Sequence, residues 1–355
     1  MGAEPKRWAC RQVSIIVWAL VFLVTASMPS IAGTYEDGMA AYNRGDFDAA
    51  FRLLRPLADD GSPLAQTRLA LLYANGQGVR QDYAEAARWE RRAAEQGLAQ
   101  AQINLGMAYQ TGTGVPQDDV EAAKWLLKAA RQGHEIAQVA VAMLYEDGAG
   151  VPKSYSDAIN WYKKAAENGY SPAQQELGRM YEEGKGTGQS YVDAAQWYEK
   201  AARQGEAQAA TALAILYADG HGVPKDLTVA RRLFLQAATT GDVRAQTFLG
   251  RMYQNGEGTP QSYVEAIRWY GKAAEQGAPL AQLLLGAIYA DGKGVPRDYV
   301  QAYKWLNLAA SRFPASQSTM RDKAATARNQ LEGAMTKDQI AEAQRLSQQW
   351  TPQSQ

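Results

Sequence analysis

One spacing constrains this chain more than any other. Tyrosine recurs every 36 residues, at Tyr73, Tyr109, Tyr145, Tyr181, Tyr217, Tyr253 and Tyr289. Tryptophan keeps the same step at Trp89, Trp125, Trp161, Trp197, Trp269 and Trp305, with Leu233 at the one vacant position. Glycine follows at Gly76, Gly112, Gly148, Gly184, Gly220, Gly256 and Gly292, and again two residues later in every copy. An Ala-Ala pair keeps step from Ala93-Ala94 to Ala309-Ala310. No insertion or deletion breaks the register between Tyr73 and Ala310. A shorter unit precedes it, with Phe47, Ala50, Ala58 and Gly61 lying 36 residues before Tyr83, Ala86, Ala94 and Gly97. A fixed period of this length is the mark of a repeat array rather than of a single globular core.

Each unit reads as two helices. In the copy "PLAQTRLALLYANGQGVRQDYAEAARWERRAAEQG", a first helix is expected over about Leu64 to Ala74. Gly76 suits the left-handed conformation that follows a helix. A turn with a second glycine leads to Asp82, whose counterparts are Asp118, Ser154, Ser190, Asp226, Ser262 and Asp298, all good N-cap residues. Three residues on come Glu85, Glu121, Asp157, Asp193, Val229, Glu265 and Gln301, most of which fit a capping box. The second helix is expected to run to about Gln96 and to close at Gly97. Gly or Ala at 70, 106, 142, 178, 214, 250 and 286 allows close helix approach, and the aromatic stripe fills the space between hairpins. One hairpin cannot cover its own apolar face, so hairpins must stack. The expected fold is all-α: an α/α superhelical solenoid of about eight helix-turn-helix repeats of period 36.

The residues Ala101 to Gly133 carry the pattern A-Q…L-G…Y-x-x-G-x-G-V-P…D…A…W…A-A-x-x-G. On it the chain resembles Sel1-like repeat proteins, a branch of the tetratricopeptide superfamily, and in particular exported bacterial members. The resemblance spans roughly residues 35–313. It implies a superhelix that binds other proteins, in envelope members as regulators, assembly factors or host-interaction factors. The stretch "MTKDQIAEAQRLSQQW" resembles the tail that closes many such arrays. Some exported members carry a cysteine pair in each repeat, and some of those bind or slowly cleave β-lactams. The only cysteine here, Cys10, lies before the repeats, which argues against that role.

The first 32 residues read as a secretory signal. Lys6, Arg7 and Arg11 precede an apolar run of 14 residues, Val13 to Ala26, too short for an ordinary membrane span. Ser30-Ile31-Ala32 offers small residues for cleavage between Ala32 and Gly33, with an uncleaved N-terminal anchor as the alternative. The expected organisation is therefore a signal at 1–32, a solenoid at 33–313, a C-terminal helical cap at 314–350 and a polar tail at 351–355. Removing the signal takes three of 37 basic and one of 37 acidic residues, leaving a slight acidic excess. Such a balance gives no electrostatic case for nucleic acid or an anionic lipid surface. A mature chain without cysteine must be stabilised by packing alone. The expected location is periplasmic or secreted, with no membrane span after cleavage.

The chemistry-bearing residues are few. His221 sits in "YADGHGVPKD", at a position filled elsewhere by Gln77, Thr113, Ala149, Lys185, Glu257 and Lys293, so it reads as an exposed turn tip. His134 stands at another drifting position. Zinc and Ser-His-Asp chemistry both lack parts. The Gly-x-Gly turns follow helices rather than strands, unlike phosphate loops. No catalytic residue, metal site or cofactor is expected. Partner recognition is expected where the repeat leaves residue identity free, on the first-helix face that lines the concave side in such an architecture. The candidates are Arg68, Leu71, Asn104, Met107, Met143, Glu176, Arg179, Ile215, Phe248 and Arg251. Arg, Met and aromatic residues are frequent interface anchors. The expected function is a non-enzymatic protein–protein interaction scaffold of the bacterial cell envelope. It would hold a protein or peptide from the envelope or the secreted fraction in its groove, in signalling, secretion or host interaction. The alternative is an enzyme acting on cell-wall material or β-lactams.

Overall fold

The structure is a computed structural model that describes residues 31–353. The expected signal segment falls almost wholly outside them; Ala32 and Gly33 lie in the first turn of the first helix, α1 (Ile31–Asn43). The chain divides into two compact units between Gln117 and Asp118. In the first, α1 is followed by α2 (Phe47–Asp59), α3 (Pro63–Asn75), α4 (Tyr83–Glu95) and α5 (Ala99–Thr111). The second begins with α6 (Asp119–Arg131), α7 (Glu135–Asp147), α8 (Tyr155–Glu167), α9 (Ser171–Glu183), α10 (Tyr191–Arg203) and α11 (Ala207–Asp219). It continues with α12 (Leu227–Thr239), α13 (Val243–Asn255), α14 (Tyr263–Glu275), α15 (Pro279–Asp291) and α16 (Tyr299–Arg312). A 3-10 turn at Ala315–Gln317 leads to α17 (Ser318–Glu332) and α18 (Lys337–Gln349). Among the described residues there is no strand, and no helix is long and apolar enough to cross a membrane. The architecture is the all-α solenoid of helical hairpins that the 36-residue period predicts.

Local chemistry explains the regularity. The side chain of Asp82 accepts hydrogen bonds from the Ala84 and Glu85 amides and so starts α4; Asp118, Ser154, Ser190, Asp226, Ser262 and Asp298 start their helices likewise. The capping-box expectation needs correction at these second-helix starts, where the N-cap side chain accepts but the reciprocal bond does not form. Glu85 and Glu121 turn instead to Arg88 and Lys124, one helical turn ahead, and the full reciprocal box forms at Thr336 and Gln339. Gly76 caps α3 at φ +67°, where a side chain would be strained. Gly78 has a second reason to be glycine: a Cβ there would collide with the Phe47 carbonyl at the start of α2. The turn of each hairpin thus rests on the start of the preceding second helix.

The glutamine of the Ala-Gln pair is a buried clamp. Gln66 and Gln102 donate to the carbonyls of Ala58 and Ala94 at 3.0 and 3.1 Å; Gln174, Gln246 and Gln282 do the same for Ala166, Ala238 and Ala274. Each of these helix-end carbonyls already accepts the amide of the glycine that closes its helix, and the glutamine adds a second donor from the next helix. One repeat departs from the rule and compensates. Ala210 replaces the glutamine, and Gln236 reaches the Ala202 carbonyl from α12 at 3.0 Å. In five other repeats the position of Gln236 holds a cation over the repeat's tryptophan, as with Lys128 over Trp125 and Lys200 over Trp197. In that one repeat Leu233 stands where the tryptophan would be. The loss of Trp and of its cation frees Gln236 for the missing clamp.

The array's last hairpin is covered from the C-terminal side. Phe313, Ala309 and Ala324 pack together, and Trp350 meets Trp305 edge to face at 6.4 Å. Arg312 lies over the Trp350 ring, and the Gln353 amide donates to the Glu275 carbonyl.

Candidate functional site

The ladder expected to bind a partner is not uniform once its neighbours are known. In the second unit much of it is engaged within the chain. Arg179 binds Glu146 and Glu176 at 2.7 Å and Glu183 at 3.0 Å, and Lys185 adds a further contact to Glu183. Phe248 stacks on Phe234 with ring centroids 5.1 Å apart, and Arg251 lies over the Phe248 ring. Ile215 is half-buried against the same core. Met143 remains open, 44% exposed.

In the first unit the ladder walls a cavity. Leu71, Asn104 and Met107 line it, together with Ala70, Ala74, Tyr83, Ala86, Ala87, Glu90, Ala108, Thr111 and Thr113; its volume is about 240 Å³. Leu71, placed on the free face by spacing, is in fact buried. Arg68 lies nearby over the Tyr42 ring. The residue that sequence reasoning missed is Glu90. It is only 7% exposed, in the middle of α4. Asn104 Nδ2 donates to Glu90 Oε1 at 2.9 Å, and Thr67 Oγ1 approaches Oε2 at 3.4 Å. Burial pushes the carboxyl up to about 8; the bonds from Asn104 and Thr67 and the charge of Arg68 act in the opposite direction without cancelling it.

A signal for Glu90 was present in the repeat register. The positions equivalent to it hold Leu126, Tyr162, Tyr198, Phe234, Tyr270 and Leu306, all buried. The tyrosine rings sit over small residues, so that a Cβ on Gly178 or Gly250 would lie 2.7 or 2.6 Å from Tyr198 or Tyr270. Their hydroxyls donate to a polar residue on the facing first helix, Tyr198 to Glu182 at 2.6 Å and Tyr270 to Gln254 at 2.8 Å. The residue equivalent to those acceptors in the first unit is Ala74. Both the ring and its acceptor are absent around Glu90, and the cavity occupies the space.

The histidines stand apart from this cavity. His221 is exposed, as its drifting register implies, but its side chain is not idle: the ring stacks on Tyr191 at 4.9 Å. His134 occupies the N-cap of α7 without a capping bond, and burial pushes its imidazole below the ordinary range against the pull of Glu135. Among the described residues no cluster of three or more His, Cys, Asp or Glu is placed to hold a metal ion.

Comparison with known proteins agrees with this architecture. The Sel1 repeat matches seven times, at residues 63–98, 99–134, 136–170, 171–206, 207–242, 243–277 and 279–312. The crystal structure of a Sel1 repeat protein from Oxalobacter formigenes is 33% identical, with TM-score 0.60, covering 68% of this chain and 96% of its own. A protective antigen of uropathogenic Escherichia coli strains, displaying an SLR fold, is 30% identical over 90% of this chain and 84% of its own, with TM-score 0.45. No curated protein matches the sequence. Sel1 repeat proteins are typically protein-interaction scaffolds, and their fold is generally non-catalytic. Seven consecutive matches, covering well over half of the residues, place this chain in the Sel1 repeat family.

Proposed function

We propose that this chain is a non-enzymatic scaffold, exported to the bacterial envelope, that binds a protein or peptide partner along the first-helix ladder. The observation that carries this reading is the division of labour within the repeat. Tyr, Trp, Gly, Ala-Ala and the clamping Gln are consumed by packing, while the ladder positions change chemistry from copy to copy. Function belongs where the fold leaves residue identity free. Export is supported by the basic start and short apolar run at residues 6–26. Met143, Arg251, Met107 and Arg68 are the ladder residues that keep apolar or cationic surface for a partner.

Photocrosslinking from Met143 in intact cells, followed by mass spectrometry of the adduct, tests the reading. One dominant envelope or secreted protein is expected, and Met143→Ala with Arg251→Ala should reduce its capture at least tenfold. Turnover of a β-lactam or cell-wall substrate by the purified protein, lost in His221→Ala, would overturn the reading in favour of an enzyme. Retention of the chain in the cytoplasmic fraction would overturn the export claim.

A further inference from the structure

We propose that the cavity beside Glu90 is a binding pocket for an alkylammonium group, the side chain of a lysine presented by a peptide partner. The inference deepens the scaffold reading, because it names the chemistry by which the first unit would grip that partner.

The shape of the site comes from what the repeat leaves out. Where other repeats place a tyrosine ring and its hydrogen-bond acceptor, this one has a shorter carboxylate and Ala74. The cavity has a graded lining. Leu71, Ala86 and Ala87 are buried and apolar, whereas Tyr83, Thr111 and Thr113 are exposed. Such walls suit a run of methylenes. At the inner end stands one carboxylate, and an ionised carboxylate has room for about four hydrogen bonds. Glu90 receives one good bond from Asn104 and a long one from Thr67.

Among the described residues no cation satisfies it by contact. Arg68 acts on Glu90 through space, but its guanidinium lies over Tyr42. Arg91 is hydrogen-bonded to the Tyr109 hydroxyl, and Arg92 lies over Trp89. A buried carboxylate without a contacting cation invites one. Donor count selects the head group. A guanidinium brings five N–H donors and an ammonium three. The acceptors at the inner end are the Glu90 oxygens, Thr67 Oγ1 and Asn104 Oδ1, and the last already accepts from Gln100 at 2.9 Å. A guanidinium would leave donors buried and unpaired, whereas an ammonium would not. A neutral alkyl chain fits the walls but leaves the carboxylate as it was.

The predicted signature is proton release. In the free protein Glu90 holds a proton near neutral pH, and an incoming ammonium displaces it to solvent. Only Arg68 among the facing charged groups is coupled to it, and Arg68 stays charged throughout.

The test is calorimetric titration of the full chain with three capped pentapeptides, Ala-Ala-X-Ala-Ala, where X is lysine, norleucine or arginine. The lysine peptide should bind saturably and release close to one proton at pH 7, read from buffers of different ionisation enthalpy. Its affinity should rise about tenfold from pH 6 to pH 7, and it should exceed that of the other two peptides at least tenfold. Glu90→Gln should abolish both the preference and the proton release, and Glu90→Leu should abolish binding while the circular dichroism spectrum is kept. Equal binding of lysine and norleucine or arginine peptides, unchanged binding by Glu90→Gln, or no saturable binding would each overturn the pocket. None of those results touches the scaffold reading, which stands or falls on the crosslinked partner.

Discussion

The α3–α4 hairpin and the α9–α10 hairpin are built on one template, yet their interiors solve opposite problems. In the second, Tyr198 fills the space over Gly178, its hydroxyl binds Glu182, and Arg179 gathers Glu146, Glu176 and Glu183 around it. The large polar side chains there have internal partners. In the first, Ala70, Ala74 and Glu90 take the corresponding places, and the interior holds a cavity and a nearly isolated carboxyl. The difference teaches that identical backbones can carry either a closed core or an open site, according to a few substitutions at register positions.

The comparison can be broken most directly at Glu90. Because the folded form holds this proton more tightly than the unfolded form, folding is favoured at acid pH. That contribution is complete below about pH 4.5 and is lost as pH climbs through about 8. Glu90→Leu should therefore stabilise the first unit by about 4 kcal/mol at pH 9 and by much less at pH 4.5. Hydrogen exchange of the α3–α5 amides measures this, and a pH-independent difference would show the two hairpins to be alike after all.

The next largest effect concerns the small residues. Gly178→Ala places a methyl 2.7 Å from the Tyr198 ring and should cost about 2 kcal/mol in urea unfolding. Ala70, at the same register, faces Glu90 and the cavity instead of a ring, so Ala70→Gly should cost no more than its helix propensity, about 1 kcal/mol. Reverse ordering of these two costs would remove the steric half of the comparison.

Arg179→Ala sharpens the electrostatic half. The guanidinium is partly open to solvent, so screening reduces the loss to about 1 kcal/mol, and the loss should shrink in high salt. Thermal melts at low and high ionic strength read it. The smallest effect lies at the turns: His221→Ala removes the stack on Tyr191 and should lower stability by less than about 0.5 kcal/mol. Its counterpart Gln77, which accepts a hydrogen bond from Asn75, should tolerate alanine about as well in the same melts.

The fold was legible because recurring residues report local rules. A glycine after each first helix and Asp or Ser before each second helix mark boundaries that the structure keeps to within a residue or two. The site was only half legible. Helical spacing places Arg68, Leu71, Asn104 and Met107 on one side of their helices, and three of them do line the cavity. Spacing does not say what lies across from a residue. Arg179 is engaged by Glu146 from 33 residues earlier, and Phe248 by Phe234 from the preceding helix. Such pairings join neighbouring elements, so no single helix reveals them. Glu90 escaped for a different reason: a charged residue in a second helix suggests a solvated face. Only alignment of the copies on one another shows a carboxylate where the others have Leu, Tyr or Phe.

The second glycine of each turn explains why the copies never differ in length. Gly78 presses on the backbone at Phe47, Gly114 on Tyr83, Gly186 on Tyr155 and Gly222 on Tyr191, always with the same stretch of chain between. One extra residue anywhere in that stretch would lift the turn off its seat and wedge neighbouring hairpins apart. In this chain the joint thereby sets a fixed pitch, with each hairpin stepping from the last by one whole module.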